Sequence, residues 1–225
     1  VNARVSSGIP DRYTDRIVDK AKSTLYVIME YADGGDLARL VHKCKREANY
    51  IDEEVIWKVL SQMALALAEC HHRKEGVVLH RDVKPGNVFL DRHNNVKLGD
   101  FGLARVLGQE SAYAQTYVGT PYYMSPEQVN GRPYNEKSDI WSLGCLIYEM
   151  AALVPPFEAT TRPMLEQKIR QGFRVRLPSR YSPDLMNAIT FMLATDVSCF
   201  FFFFFRNPNI SISPIIAAFE EGFRG

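Results

Sequence analysis

The run Val78-Leu79-His80-Arg81-Asp82-Val83-Lys84-Pro85-Gly86-Asn87-Val88-Phe89-Leu90, with Gly99-Asp100-Phe101-Gly102 close behind, constrains this 225-residue chain more than any other stretch. Asp82, Asn87 and Asp100 are side chains able to handle a metal or a proton, and Lys84 adds a cation, all within about twenty residues. Apolar residues bracket them: Val78 and Leu79 before, Val88 to Leu90 after, then Val96 and Leu98 ahead of the second aspartate. Such bracketing predicts a loop pinned by short strands. A carboxylate held on that loop can accept a hydroxyl proton. An amide and a second carboxylate can hold magnesium, which prefers oxygen ligands and brings phosphate with it. A nearby lysine can neutralise charge on a phosphoryl group in transit. The alternative is a buried His-Asp hydrogen bond in a turn beside a hairpin.

The run is similar to the catalytic loop of eukaryotic protein kinases, and Asp100-Phe101-Gly102 is similar to their magnesium-binding motif. Lysine two residues after the aspartate is the form typical of serine/threonine kinases. Ser125-Pro126-Glu127 stands downstream in place of the usual Ala-Pro-Glu. Gly99, the segment Val118 to Glu127 and the segment Tyr134 to Gly144 resemble the NIMA-related (mitotic) kinases, and the likeness runs from about Tyr13 to Asp196.

That resemblance implies an α+β, protein-kinase-like fold. A mostly helical large lobe would occupy residues 32–196, and residues 1–31 would hold the hinge and last strands of a truncated, β-rich small lobe. It implies transfer of the ATP γ-phosphoryl group to serine or threonine hydroxyls of protein substrates, with ATP and Mg2+ as cofactors. Asp82 would take the hydroxyl proton, Lys84 would stabilise phosphoryl charge, and Asn87 with Asp100 would bind magnesium. Thr120 resembles the threonine that bridges the catalytic aspartate and lysine. Met29 resembles the gatekeeper, Glu30 and Ala32 would offer main-chain groups to adenine, and Asp36 would lie near the ribose. Arg81 would receive a phosphate carried by Thr116, and Asp139 would anchor the backbone of the catalytic loop. By family, a role in cell-cycle control is expected, in the cytoplasm or nucleus or at a centrosome or spindle pole.

Other function classes fall away on charge and cysteine usage. Lys+Arg 27 against Asp+Glu 26 leaves a formal charge of +1, without the basic footprint of a nucleic-acid binder. Cys44, Cys70, Cys145 and Cys199 show no zinc-like pairing and fit a reducing compartment. No signal peptide is legible and no apolar run is long enough to span a bilayer, so no membrane partner is expected.

Along the chain, Tyr13 to Asp19 alternates loosely as a strand, and Ala21 to Thr24 is turn-like. Leu25 to Tyr31 is rich in β-formers and apolar on both faces, which predicts a buried strand broken by Ala32-Asp33-Gly34-Gly35. Leu37, Leu40, Val41 and Cys44 recur at helical spacing and end in a solvated charged cluster, Lys43 to Glu47. Asp52 is placed as an N-cap, and Ile56, Val59, Leu60, Met63 and Leu67 form one face of a helix reaching about His71. Met63 and Trp57 are read as core, and His71 and His72 as solvated at the helix end. Leu103 to Tyr123 is a long irregular loop rich in hydroxyls and corresponds to an activation segment. Tyr134 to Met150 is apolar nearly all round, as a central helix should be, with Pro155-Pro156-Phe157 ending it. The cations from Lys168 to Arg180 are read as a solvated face.

Two departures from the family pattern stand out. None of the fourteen glycines forms a Gly-x-Gly-x-x-Gly loop, and no Val-Ala-x-Lys strand precedes the hinge, so these 225 residues alone are expected to show little kinase activity. The other departure follows Asp196, where an Arg-Pro-Ser stretch gives way to a tail, residues 197–225, that is expected to lie outside the fold. Val197-Ser198 can be encoded as a splice-donor hexamer and Phe200 to Phe205 as a pyrimidine-rich tract, which suggests translated intron; an exposed aromatic patch is the alternative. A catalytically silent kinase-fold binding module is the other functional reading. The presence of all four of Asp82, Lys84, Asn87 and Asp100 argues against it.

Overall fold

A computed structural model describes residues 13–19, 22–74, 76–99, 105–106, 122–172 and 176–195. Strands β1 (Tyr13–Asp19) and β2 (Thr24–Met29) pair antiparallel, with Ser23 in the left-handed region just before β2 at φ 51°. Burial on both faces of β2 is not what the fold gives: Tyr26 is 48% exposed and Ile28 43%. They alternate onto one face, and among the described residues this sheet is two strands wide, too narrow to enclose both sides. Tyr31 falls beyond the strand and is 83% exposed.

The glycine turn leads into β3 (Gly35–Asp36), where Asp36 caps helix α1 (Leu37–Arg46) by accepting from the Arg39 amide at 2.8 Å. Helix α2 (Glu53–His71) follows, with Glu53 and Glu54 facing the positive end of its dipole. Asp52 occupies the N-cap position, but its side chain makes no capping bond. Strand β4 (Val78–Leu79) precedes the catalytic-loop run, and a 3-10 turn (Pro85–Asn87) leads into the hairpin β5 (Val88–Leu90) and β6 (Val96–Leu98). Strand β3 adds to that hairpin in the order β3-β5-β6, and β4 pairs with β7 (Arg105–Val106).

The carboxy-terminal half is helical: α3 (Pro126–Val129), α4 (Glu136–Ala152), α5 (Arg162–Gln171) and α6 (Pro183–Met192). Helix α4 is buried on every side, with 13 of its 17 residues in the core, as its all-round apolar pattern predicts. It stops at Ala152, with Leu153 in the left-handed region at φ 60°, so the prolines at 155 and 156 come after the break rather than making it. At Gly144 an added Cβ would sit 2.8 Å from the Met192 Cβ, so only glycine lets α6 approach this closely. Leu143, Leu146, Ile147 and Met150 join Met63 and Leu67 of α2 and Leu185 and Ile189 of α6 in one core. Burying such a side chain contributes about 1.5–3 kcal/mol, which is what holds the three helices behind the loop. Ser182 caps α6 and donates from its amide to Glu53 at 2.8 Å, while the Tyr181 hydroxyl donates to the Ile51 carbonyl at 2.8 Å. These bonds tie the start of α6 to the start of α2. Helix α5 is not legible in the sequence pattern, whereas α6 carries an overlooked signal: the Ser182 cap, Pro183 at its start and Leu185, Ala188, Ile189 and Met192 at helical spacing.

Candidate active site

The catalytic-loop run takes its shape from a carboxylate that lies far away in sequence. Asp139, in the first turn of α4, is fully buried. Its Oδ2 accepts from the His80 amide at 3.0 Å and its Oδ1 from the Arg81 amide at 3.0 Å. The Tyr134 hydroxyl donates to Oδ1 at 2.5 Å, and His71 Nε2 lies 2.8 Å from Oδ2. Arg81, held this way, adopts a left-handed backbone at φ 70°, which a non-glycine residue keeps only when its surroundings fix it. Burial pushes the Asp139 carboxyl up, but the bonds from His71, Tyr134 and the His80 amide outweigh it and hold the group below the usual carboxylate range.

His71 corrects the sequence expectation. It is buried beneath the loop rather than solvated, because the end of α2 lies against the start of α4 and the ring meets Asp139 there. His80 is also buried, and its ring spans two parts of the site. Its Nε2 bonds the Gly99 carbonyl at 3.0 Å, and its Nδ1 accepts from the Asp82 amide at 3.3 Å. Of Asp82, the group it bonds here is the main-chain amide.

At the mouth of the loop, Lys84 Nζ and Asn87 Nδ2 each lie 2.7 Å from Asp82 Oδ2. Asn87 Nδ2 also donates to the Asp82 carbonyl at 2.8 Å. Pro85 begins the 3-10 turn that folds Asn87 back onto Asp82. With both amide hydrogens turned toward Asp82, the Asn87 amide oxygen is left without a partner among the described residues. That is the donor a hard cation requires. The Asn87 carbonyl accepts from the Gly99 amide at 2.9 Å, which holds the strand entering Asp100 beside the loop.

The hinge expectations divide. Met29 ends β2 with its backbone paired to Tyr13, and its side chain lies outside the described residues. Glu30 follows, with its carboxylate 2.5 Å from Lys97 Nζ of β6. Ala32 opens the glycine turn, its carbonyl accepting from Gly35 at 3.3 Å. Asp36 pairs across to Phe89, and Phe89 across to Lys97, so these three form one row on a face of the sheet. Phe89 is a residue the sequence reading missed. Its place between buried Val88 and Leu90 is the alternation that could have shown it facing outward. Its ring packs where a Cβ on Gly99 would come within 2.6 Å, so glycine at 99 makes room for it. Asp100, Thr116 and Thr120 lie outside the described residues.

Downstream, Ser125 caps α3, and Glu127 accepts from the Ser138 hydroxyl at 2.5 Å. The Tyr123 phenol donates to Glu149 of α4. Burial raises the Glu149 carboxyl above its ordinary range. The Arg81 guanidinium lies 5.8 Å from the centre of the Tyr134 ring, and its Nε is buried without a partner among the described residues.

Residues 12–199 match the family described as the protein kinase domain. The chain belongs to the protein kinase family. It is 60% identical over 185 residues to the probable serine/threonine-protein kinase nek2 of Dictyostelium discoideum, covering 82% of this chain and 44% of that protein. Against the serine/threonine-protein kinase Nek2 of Homo sapiens the identity is 58% over 184 residues, covering 81% of this chain and 41% of that one. The G2-specific protein kinase nimA of Emericella nidulans is 41% identical over 194 residues, with 76% of this chain and 28% of nimA covered. Its branch is that of the NIMA-related serine/threonine kinases. The chain spans less than half the length of each of these relatives.

Proposed function

We propose that this chain is the catalytic part of a serine/threonine protein kinase of the cell cycle, moving the γ-phosphoryl group of ATP to protein hydroxyls. The observation that carries it is the convergence of Lys84 and Asn87 on Asp82 at 2.7 Å each, on a loop whose backbone is fixed by Asp139. In the step, the substrate hydroxyl oxygen forms a bond to the γ-phosphorus, the bond from that phosphorus to the ADP oxygen breaks, and the hydroxyl proton passes to Asp82. Lys84 lies close enough to oppose the charge that builds on the transferred group. Asn87 and Asp100 would hold Mg2+, whose charge offsets that of the phosphates when bound. Phe89 offers a flat apolar surface to a base lying under the hinge. The main chain of Glu30 and Ala32 would pair with its edge, with Asp36 near the ribose.

A thermal melt tests this. ADP with Mg2+ at a hundred times its Kd should stabilise the chain by about 2.7 kcal/mol, several degrees in Tm at this size. No shift at any ADP concentration would leave a silent binding module and overturn the kinase reading. Regulation has its own test. The buried Nε of Arg81, without a partner among the described residues, suits a phosphate on the activation segment, with Thr116 as its carrier. In a protein carrying this chain, Thr116→Ala should lower turnover severalfold, and unchanged turnover would remove Thr116 from that role.

A further inference from the structure

We infer that Lys97 is a positioning residue for nucleotide, acting through Glu30, an inference that rests on the kinase reading above. The hinge, residues 30–36, is strung between two attachments on one hairpin. At its far end the Gly34 amide donates to the Leu90 carbonyl at 2.8 Å, and Gly35 and Asp36 continue as a strand beside Leu90 and Phe89. That end has no slack. A Cβ on Gly34 would meet the Leu90 and Asp91 carbonyl oxygens at 2.7 Å, so the two backbones touch directly.

The near end is attached differently. Among the described residues, the one side-chain bond of Glu30 is the ion pair with Lys97 Nζ at 2.5 Å, which bridges 67 positions of sequence. Lys97 can reach it because of strand alternation. Val96 and Leu98 pair with Leu90 and Val88, whereas Lys97 pairs with Phe89 and shares the opposite face with it. The lysine side chain is 24% exposed and the glutamate 48%, so the pair is only partly shielded from solvent. Rotation of the Glu30 peptide would redirect the main-chain acceptor proposed for the adenine edge, and the ion pair opposes that rotation.

Ion pairs at this exposure are weak and salt-screened. The expected effect is therefore about threefold in Kd, well short of abolished binding. The experiment is a calorimetric titration of ADP with Mg2+ into the chain and into Lys97→Met, Glu30→Gln and the double variant, at low and high salt. Each single substitution should weaken ADP about threefold at low salt. The double should be no weaker than either single, and high salt should bring all four chains together. A pair serving stability alone would lower the Tm of the free variants and leave their Kd for ADP unchanged. Unchanged Kd in Lys97→Met, or additive losses in the double, overturns the inference and leaves the kinase reading standing. An unsubstituted chain that binds no ADP overturns both.

Discussion

Asp82→Asn should lower phosphoryl transfer by about 10²–10⁴-fold in kcat, the range that a positioned general base contributes. The amide can still accept from Lys84 and Asn87, so the three side chains keep their places 2.7 Å apart. What it loses is the capacity to take a proton. The loss should therefore fall on kcat, with KM for ATP and for the protein substrate little changed. Single-turnover transfer to a serine peptide, in a protein carrying this chain, checks it. Turnover within threefold of the parent would remove Asp82 as the base.

Asp139→Ala should destabilise the chain by about 3–5 kcal/mol, the cost of leaving buried partners of a charge uncompensated. Two main-chain amides, an imidazole and a phenol would lose their acceptor at once. That is a large share of the roughly 5–15 kcal/mol by which a domain is stable. Urea unfolding followed by circular dichroism measures it, and a loss below about 1 kcal/mol would show that the network does not hold the loop. The sign with pH is fixed as well. The folded Asp139 carboxyl lies below its ordinary value of 3.8, so its stabilisation is present above that pH and is lost as pH falls toward the folded value. Asp139→Asn should be less stable at neutral pH and should lose less on acidification below about pH 4.

What could be read in the sequence was what is local. The site motif packs its acid, amide and cation into one short run, and the apolar period of Ile56, Val59, Leu60, Met63 and Leu67 marks α2 without outside help. What could not be read depends on partners far along the chain. His71 looks like a polar helix end until α4 brings Asp139 against it, 68 positions away. Tyr26 and Ile28 look like core until the width of their sheet is known. Helix α5 buries Leu165 and Ile169 among eight mostly polar residues, too thin a stripe to give a helical period. Lys97 is one charge in a strand until the hinge turn lays Glu30 beside it.

The burial of α4 on all sides has an evolutionary corollary. Exposed stretches of α1 can accumulate substitutions at little cost to folding, since surface positions away from caps and packing change stability by little. Along α4 nearly every replacement would disturb a neighbour, and Asp139 transmits that disturbance to the loop in front of it. Lineages of this chain should therefore diverge at the periphery and hold this one helix nearly frozen.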